Sequence, residues 1–235
     1  MRVLVRTGKW VIGAALLSSS IFASPPDESA GRDAFLKKDY ATAYRNWKPL
    51  ADRGDANAQF NLAILYERGL GVRRDYSEAF SLCHLAAAQG LVAAEVELGR
   101  MYARGWGTAQ RFGEAFQWFE KAAEQGDPDG QRNMGWLYDQ GYGVARDYKV
   151  AAKWYRMAAD HGNAEGQYAL GMLYLSGNGV PKDPIQAYCL FTRSELEEKK
   201  AADELARLNQ KLSGDQIAQA LKCAKAATSP SATSK

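Results

Sequence analysis

Apolar residues in the middle of the chain recur at the spacing of an α-helix and are then interrupted by glycines. The clearest stretch is 56–68, where Ala58, Leu62, Leu65 and Tyr66 fall on one face of a helix. A G-x-G turn follows, and an acidic residue then opens a second apolar stretch with the same spacing. The pattern predicts two amphipathic helices joined by a tight turn.

This pattern occurs four times with a fixed period of 36 residues. Its markers are a glycine after each second helix, a tyrosine in each first helix and the paired glycines of the turn. They are Gly54, Gly90, Gly126 and Gly162; Tyr66, Tyr102, Tyr138 and Tyr174; and Gly69/Gly71, Gly105/Gly107, Gly141/Gly143 and Gly177/Gly179. A period of this length is typical of a stacked repeat array. We therefore predict an all-α fold, a right-handed α-solenoid of antiparallel helix pairs. The four repeats are expected at residues 55–90, 91–126, 127–162 and 163–198.

Three features of each unit have a structural explanation. A small residue in the first helix allows the second helix to approach closely; it is Ala63, Gly99, Gly135 or Gly171. The G-x-G ends the first helix, because glycine adopts the left-handed conformation without a Cβ clash. An acid at Asp75, Asp147 or Asp183 can accept hydrogen bonds from the first amides of the second helix. The second unit departs from the pattern with Thr108 and Arg111.

The two ends of the array diverge from the repeat. Residues 24–54 are expected to form a capping helix pair, and 199–227 a second set of capping helices. Ser213 with Gln216 is a capping box for the last helix. The Ser/Thr-rich tail at 228–235 is expected to be disordered.

The N-terminus has the pattern of an export signal. Arg2, Arg6 and Lys9 precede a short apolar run and small residues, which predicts a signal peptide at 1–23 cleaved after Ala23. A retained anchor is the alternative, but the apolar run is short for a membrane span. Removing 1–23 lowers the basic residues from 30 to 27, against 27 acids. The mature chain is then near neutral, which argues against nucleic acid as a partner. We expect a periplasmic or secreted protein that is not itself an integral membrane protein.

Three cysteines in an oxidising compartment leave at least one unpaired or paired between chains. Cys83 stands where other repeats have Phe119 or Tyr155, which predicts a buried small hydrophobe. Cys189 aligns with more exposed polar positions. The last helix should fold back near Cys189, and a disulfide between Cys189 and Cys223 is one hypothesis.

The repeat motif resembles that of the Sel-1-like repeat family, short relatives of the tetratricopeptide repeat. The third unit carries the match most fully, with Gly135, Tyr138, Gly141 and Gly143 followed by Asp147, Ala151, Trp154, Ala158 and Gly162. The resemblance is strong from Gly54 to about Phe191. It implies an α-solenoid whose concave face is lined by the first helices. It also implies a role in protein–protein interaction, as an adaptor or regulator, often exported in bacteria.

Sequence motifs for catalysis or for cofactor binding do not stand out. The G-x-G turns follow helices and lack the Lys-Ser/Thr of a phosphate loop. The only histidines, His84 and His161, have no ligand partner at metal-binding spacing. The S-x-x-K of serine β-lactamases is absent. We therefore expect no enzyme, no cofactor and no metal. The alternative is a cell-wall-related or β-lactam-interacting enzyme, as suggested for cysteine-rich relatives of the family.

Partner binding is expected at positions that the repeat does not fix. First-helix positions one turn away from the core stripe should face the concave groove, and several carry aromatic, aliphatic or arginine side chains. They are Phe60, Ile64, Val96, Arg100, Arg132, Trp136, Tyr168 and Met172. Aromatic and arginine side chains are enriched in binding hot spots. Trp106 and Tyr142, inside two G-x-G turns, form a second candidate edge. The alternative is that these side chains pack against neighbouring units. We expect a protein or peptide partner, and the periplasmic part of a membrane protein is one candidate.

Overall fold

The computed structural model describes residues 27–195 and 197–227. The predicted signal peptide at 1–23 and the predicted tail at 228–235 lie outside these residues. The described chain forms twelve α-helices and no β-strand. In order they are α1 (Glu28–Leu36), α2 (Tyr40–Ala51), α3 (Ala56–Arg68), α4 (Tyr76–Ala88), α5 (Val92–Arg104), α6 (Phe112–Glu124), α7 (Pro128–Gln140), α8 (Tyr148–Asp160), α9 (Ala164–Ser176), α10 (Pro184–Ser194), α11 (Lys199–Asn209) and α12 (Gly214–Ala227).

Each helix packs on the next one along the chain, so the molecule is a row of helix pairs. The four repeats are the pairs α3–α4, α5–α6, α7–α8 and α9–α10, and each pair also packs on the following pair. Buried side chains form several clusters along the row. The all-α solenoid prediction is confirmed. We call the junctions between consecutive repeats the first seam (α3–α4 with α5–α6), the second seam (α5–α6 with α7–α8) and the third seam (α7–α8 with α9–α10).

The predicted helix ends are confirmed. The first helix of each repeat ends at a glycine in the left-handed conformation, such as Gly105 with a φ of 72°. Asp75, Asp147 and Asp183 each accept hydrogen bonds from two amides at the start of the second helix. Arg111, the departure in the second repeat, makes no such side-chain bond.

The small residue of the first helix permits close packing, as expected. A Cβ added at Gly99 would lie 2.5 Å from the ring of Phe119. The first repeat instead has Ala63 and, in place of the ring, Cys83, which is fully buried. A larger residue in one helix is therefore matched by a smaller one in its partner.

A buried polar residue at the start of each first helix connects neighbouring repeats. Gln59 donates from Nε2 to the carbonyl oxygen of Ala51 and accepts a hydrogen bond from Gln89. Gln131 and Gln167 repeat the bond to the preceding second helix, at Ala123 and Ala159 respectively. In the second repeat the position is Glu95, which is 0% exposed.

Glu95 keeps the equivalent of the Gln89 contact but not the bond to a backbone carbonyl, because a carboxylate cannot donate a hydrogen bond. Gln125 donates from Nε2 to Glu95 Oε2 over 2.6 Å. Lys121 Nζ lies 2.6 Å from Glu95 Oε1, as an ion pair without the alignment of a hydrogen bond. The buried charge is thus held by one amide and one half-exposed ammonium.

The C-terminal helices close the open end of the array. The predicted capping box is confirmed, since Ser213 and Gln216 exchange side-chain to backbone hydrogen bonds. The expected exposure of Cys189 is wrong: this residue is 1% exposed, because α12 packs on α10. The sulfur atoms of Cys189 and Cys223 are joined as a disulfide between these two helices.

Candidate partner-binding cleft

A cleft of about 660 Å³ lies at the second seam. The first helices α5 and α7 form its two sides, and the G-x-G turns that follow them form its rim. Its floor includes Ala103 and the ring of Phe119, both of which belong to the buried core. The repeat packing therefore leaves an opening that reaches down to the apolar core.

The rim is formed by stacked aromatic rings. Trp106 stacks on Tyr76 with a centroid distance of 5.2 Å. Tyr142 stacks on Phe112 at 4.6 Å and meets Trp136 edge to face at 5.1 Å. The middle residue of a G-x-G turn thus lies over the first residue of the preceding second helix. These contacts hold the rings in fixed orientations before any ligand arrives.

Three arginines line the cleft, and no aspartate or glutamate does so among the described residues. Arg104 lies 4.5 Å from the centre of the Trp106 ring, a cation–π contact. Arg100 forms ion pairs of 3.3 Å with Glu97 and with Asp129.

The third arginine, Arg132, is the most enclosed of the set. It forms an ion pair with Glu165 and donates from Nη1 to Asn133 Oδ1 over 2.7 Å. Burial lowers the pKa of Arg132, but a guanidinium stays protonated in proteins. The lining therefore keeps its positive charge.

Two donors beside the cleft have no acceptor. Asn133 lines the cleft and is 3% exposed, and its Nδ2 has no hydrogen-bond partner among residues 27–195 and 197–227. The same is true of Arg132 Nε. Buried donors are rarely left unsatisfied, and such a group calls for a specific explanation.

The structure brings five of the ten predicted partner-binding residues to this cleft. They are Arg100, Trp106, Arg132, Trp136 and Tyr142. The groove residues and the turn residues, predicted as two surfaces, line one cleft. Trp136 and Tyr142 contact each other directly.

The other five predicted positions lie elsewhere. Val96 is 4% exposed and packs in the core, so its prediction as a groove residue is wrong. Phe60 and Ile64 are half-buried in the first repeat, and Tyr168 packs on Phe191. Met172 is exposed and lines a smaller cavity at the third seam.

Six residues that line the cleft were missed by the sequence prediction: Ala103, Arg104, Gln110, Phe112, Phe119 and Asn133. Phe112 had a signal, because Tyr40, Tyr76 and Tyr148 stand at the same repeat position. Arg104 and Asn133 had none, since neither residue type recurs through all the repeats.

Across 27–195 and 197–227 no group of three His, Cys, Asp or Glu side chains could hold a metal ion. In the same residues no helix has both the length and the apolar character to cross a membrane.

Helix pairs of constant length, stacked in a row and joined by glycine turns, define a helical-repeat protein of the solenoid class. The Sel1 repeat profile matches residues 56–91, 92–127, 128–163 and 164–194. The chain belongs to the Sel1 repeat family. Proteins of this family generally serve as protein–protein interaction scaffolds.

Solved structures with the same fold are known from several bacteria. A protective antigen of uropathogenic Escherichia coli with this repeat fold is 35% identical over 78% of the chain, with a TM-score of 0.67; the match spans 40% of that protein. A Sel1 repeat protein from Oxalobacter formigenes is 29% identical over 86% of this chain and 85% of its own, with a TM-score of 0.74. An immunity protein from Pseudomonas aeruginosa, at 23% identity over 88% of this chain and 82% of its own and a TM-score of 0.54, shares the fold alone. No curated protein sequence matches the chain.

Proposed function

We propose that this protein is a non-catalytic adaptor or regulator that binds a segment of another protein in the cleft at the second seam. The observation that carries the proposal is the clustering of Arg100, Arg132, Trp136, Trp106 and Tyr142 around one opening. Aromatic and arginine anchors of this kind dominate the energetics of protein interfaces. Their stacking contacts fix most of them in place, so little conformational entropy is lost on binding.

The cleft is tested by a double substitution, Trp136→Ala with Arg132→Ala. Glu165, the ion-pair partner of Arg132, is more than half exposed and tolerates the loss of its cation. We expect affinity capture of partners from the native cell envelope to be lost, while circular dichroism at the assay temperature still shows the helical content of the wild type. The matched control is Met172→Ala, which alters the equivalent of Trp136 one repeat later. Unchanged capture by the double variant would overturn the cleft assignment.

The absence of catalysis is part of the proposal. Hydrolysis of a chromogenic β-lactam by the purified protein, lost in a cleft variant, would contradict it and favour the enzymatic alternative.

Export to the periplasm or beyond is also proposed, from the basic and apolar pattern of residues 1–23. N-terminal sequencing of protein from the periplasmic or culture fraction should begin at Ser24. Recovery of the chain with its first 23 residues intact in the cytosol would contradict export.

A further inference from the structure

The charge of the cleft at the second seam points to an anionic ligand. Three guanidiniums line it without a carboxylate among the described lining residues. The carboxylates that pair with Arg100 and Arg132 are not among the residues that line the cleft. Arg104 lies over the Trp106 ring and forms no ion pair within the described residues, although it is near enough to the Glu67 carboxylate to offset part of the rise that burial causes in the pKa of that group. A ligand carboxylate would therefore meet a guanidinium that is not already held in an ion pair.

The hydrogen bonding of Asn133 also indicates a ligand with acceptor oxygens. A guanidinium can only donate, so the Asn133 oxygen must face Arg132. The amide nitrogen is then left as a donor, 97% of the residue is buried, and no described residue accepts from it. An acceptor oxygen that enters the cleft would satisfy Nδ2, and a small adjustment would bring Arg132 Nε into reach as well.

The equivalent first-helix positions of the third seam carry different side chains. At the third seam the positions of Arg132 and Asn133 are held by Tyr168 and Ala169. Asp139, which stands one repeat after Ala103, lines that cavity with a carboxylate. The donor-rich lining is therefore not a general consequence of the repeat.

The arrangement of the cations favours an internal peptide segment over a chain end. Arg100 and Arg104 are one turn apart on α5, a rise of about 6 Å, and Arg132 lies on the other side of the cleft on α7. A single terminal carboxylate cannot engage all three. Between the cations, the rings of Trp106, Trp136 and Tyr142 offer contact to an apolar side chain.

We infer that the cleft recognises an extended peptide segment in which Asp or Glu side chains flank an aromatic or aliphatic residue. This inference rests on the proposed function, because it names the chemistry of the partner at the same cleft. The carboxylates bind Arg100, Arg104 and the Arg132–Asn133 pair, and the apolar side chain packs between the rings.

The test uses fluorescence anisotropy with a labelled, C-terminally amidated peptide of alternating glutamate and phenylalanine or leucine residues. A second peptide carries glutamine at every glutamate position, and a third carries these glutamines with a free C-terminal carboxylate. We expect the purified protein to bind the first peptide, with affinity falling as salt is raised, and to bind neither of the others. No binding of the glutamate peptide, equal binding of the glutamine peptide, or binding of the third peptide alone would overturn the inference.

Matched variants locate the site. Asn133→Leu and Arg104→Gln should each weaken binding of the glutamate peptide roughly tenfold, through the loss of one charge-assisted contact. Their controls are Asn61→Leu and Arg68→Gln, which change the same repeat positions away from the cleft and should leave binding unaltered. Arg104 is exposed, so Arg104→Gln should fold normally even if Asn133→Leu does not. Equal losses in variants and controls would overturn the location.

One more substitution separates charge from shape. Ala103→Glu places a carboxylate inside the cleft, where it should compete with the peptide, whereas Ala103→Gln adds the same volume without charge. Weaker binding in the glutamate variant than in the glutamine variant supports recognition of carboxylates, and equal binding contradicts it.

Failure of this inference is distinguishable from failure of the proposed function. If envelope partners are captured through Trp136 and Arg132 but the glutamate peptide is not bound, the proposed function stands and the ligand chemistry is wrong. If the double variant captures partners normally, the proposed function itself is wrong.

Discussion

The second and third seams have the same helices, turns and period, yet they present different surfaces. Between its first helices the second seam opens a cleft of about 660 Å³ with three arginines, and the equivalent cavity at the third seam has about 330 Å³, an aspartate and no cation. The backbone differs little between them, because the helices begin at equivalent positions and, apart from α10, which ends two residues early, also end at equivalent positions. The difference arises from side chains that the repeat leaves free. A solenoid thus obtains one specific surface by varying a few positions in one unit.

A single position explains much of the difference in depth. It is Glu67 at the first seam, Ala103 at the second and Asp139 at the third. At the third seam Asp139 lies 3.4 Å from the hydroxyl of Tyr155 and accepts its hydrogen bond. At the second seam the methyl group of Ala103 fills less of this space, and the floor of the cleft includes the buried residue Phe119.

The largest expected effect comes from removing that floor. Phe119→Ala should destabilise the protein by about 3–5 kcal/mol, since a fully buried ring leaves a cavity. Cys83→Ala, the same position in the first repeat, should cost far less because fewer atoms are lost. Urea unfolding of both variants measures the difference.

The close contact with Gly99 gives a sharper version of this experiment. Gly99→Ala alone should destabilise the protein by about 1–3 kcal/mol, because its Cβ would collide with the Phe119 ring. In the Phe119→Ala background the added methyl group enters vacated space, as with Ala63 and Cys83 in the first repeat. The two costs should therefore not add. Simple additivity would contradict the packing argument.

The next effect concerns the buried charge of the second repeat. Lys121→Met removes one of the two partners of Glu95 and should destabilise the protein by about 1–3 kcal/mol. Adding Glu95→Gln should recover most of the loss, since a glutamine here can donate to the Ala87 carbonyl as Gln59 does to Ala51. Denaturant unfolding of the single and double variants checks this, and no recovery would contradict it.

The smallest effect is a pH dependence at the first seam. Burial, and next the charge of Glu97, raise the pKa of Glu67 above its ordinary value of 4.5. The native state then binds this proton more tightly than the unfolded state, so the contribution of Glu67 to stability is lost as pH rises through its raised pKa. Glu67→Gln should therefore gain stability relative to the wild type over the pH range that begins near the ordinary value of 4.5 and extends above it. Thermal melts across that range measure the gain, and a constant difference would count against it.

Most of the fold could be predicted from the sequence because its determinants are local and recur. Asp75 caps a helix and Gly105 ends one through contacts within a few residues. The close packing of Gly99 on the second helix is likewise contained within one repeat. Each of these signals appears several times at the same period, which separates it from chance.

The candidate cleft could be predicted only in part, because it depends on contacts between repeats. Helical spacing assigned Arg132 and Val96 to the same face, but only Val96 is covered by packing. The position of Asn133 is not an asparagine in every repeat. The unpaired donor of Asn133 also depends on the amide orientation that Arg132 imposes. Cys189 was expected to be exposed because α12, which covers it, lies outside the repeat pattern. The proposed roles of these residues remain predictions for the experiments above.

The buried glutamines also determine how the molecule comes apart. Gln59 and Gln131 are each hydrogen bonded to the preceding repeat and to a residue at the end of their own second helix, Gln89 and His161. Where a folded repeat borders an unfolded one, the broken hydrogen bond leaves an unpaired donor on one side and an unpaired acceptor on the other. This cost couples neighbouring repeats although they share no central core. Gln167 lacks the second bond within the described chain, but Arg193 donates from Nη2 to the same Ala159 carbonyl over 2.8 Å. The last repeat is therefore held to the preceding one by two side chains, and the Cys189–Cys223 disulfide ties it to the closing helix α12 on its other side.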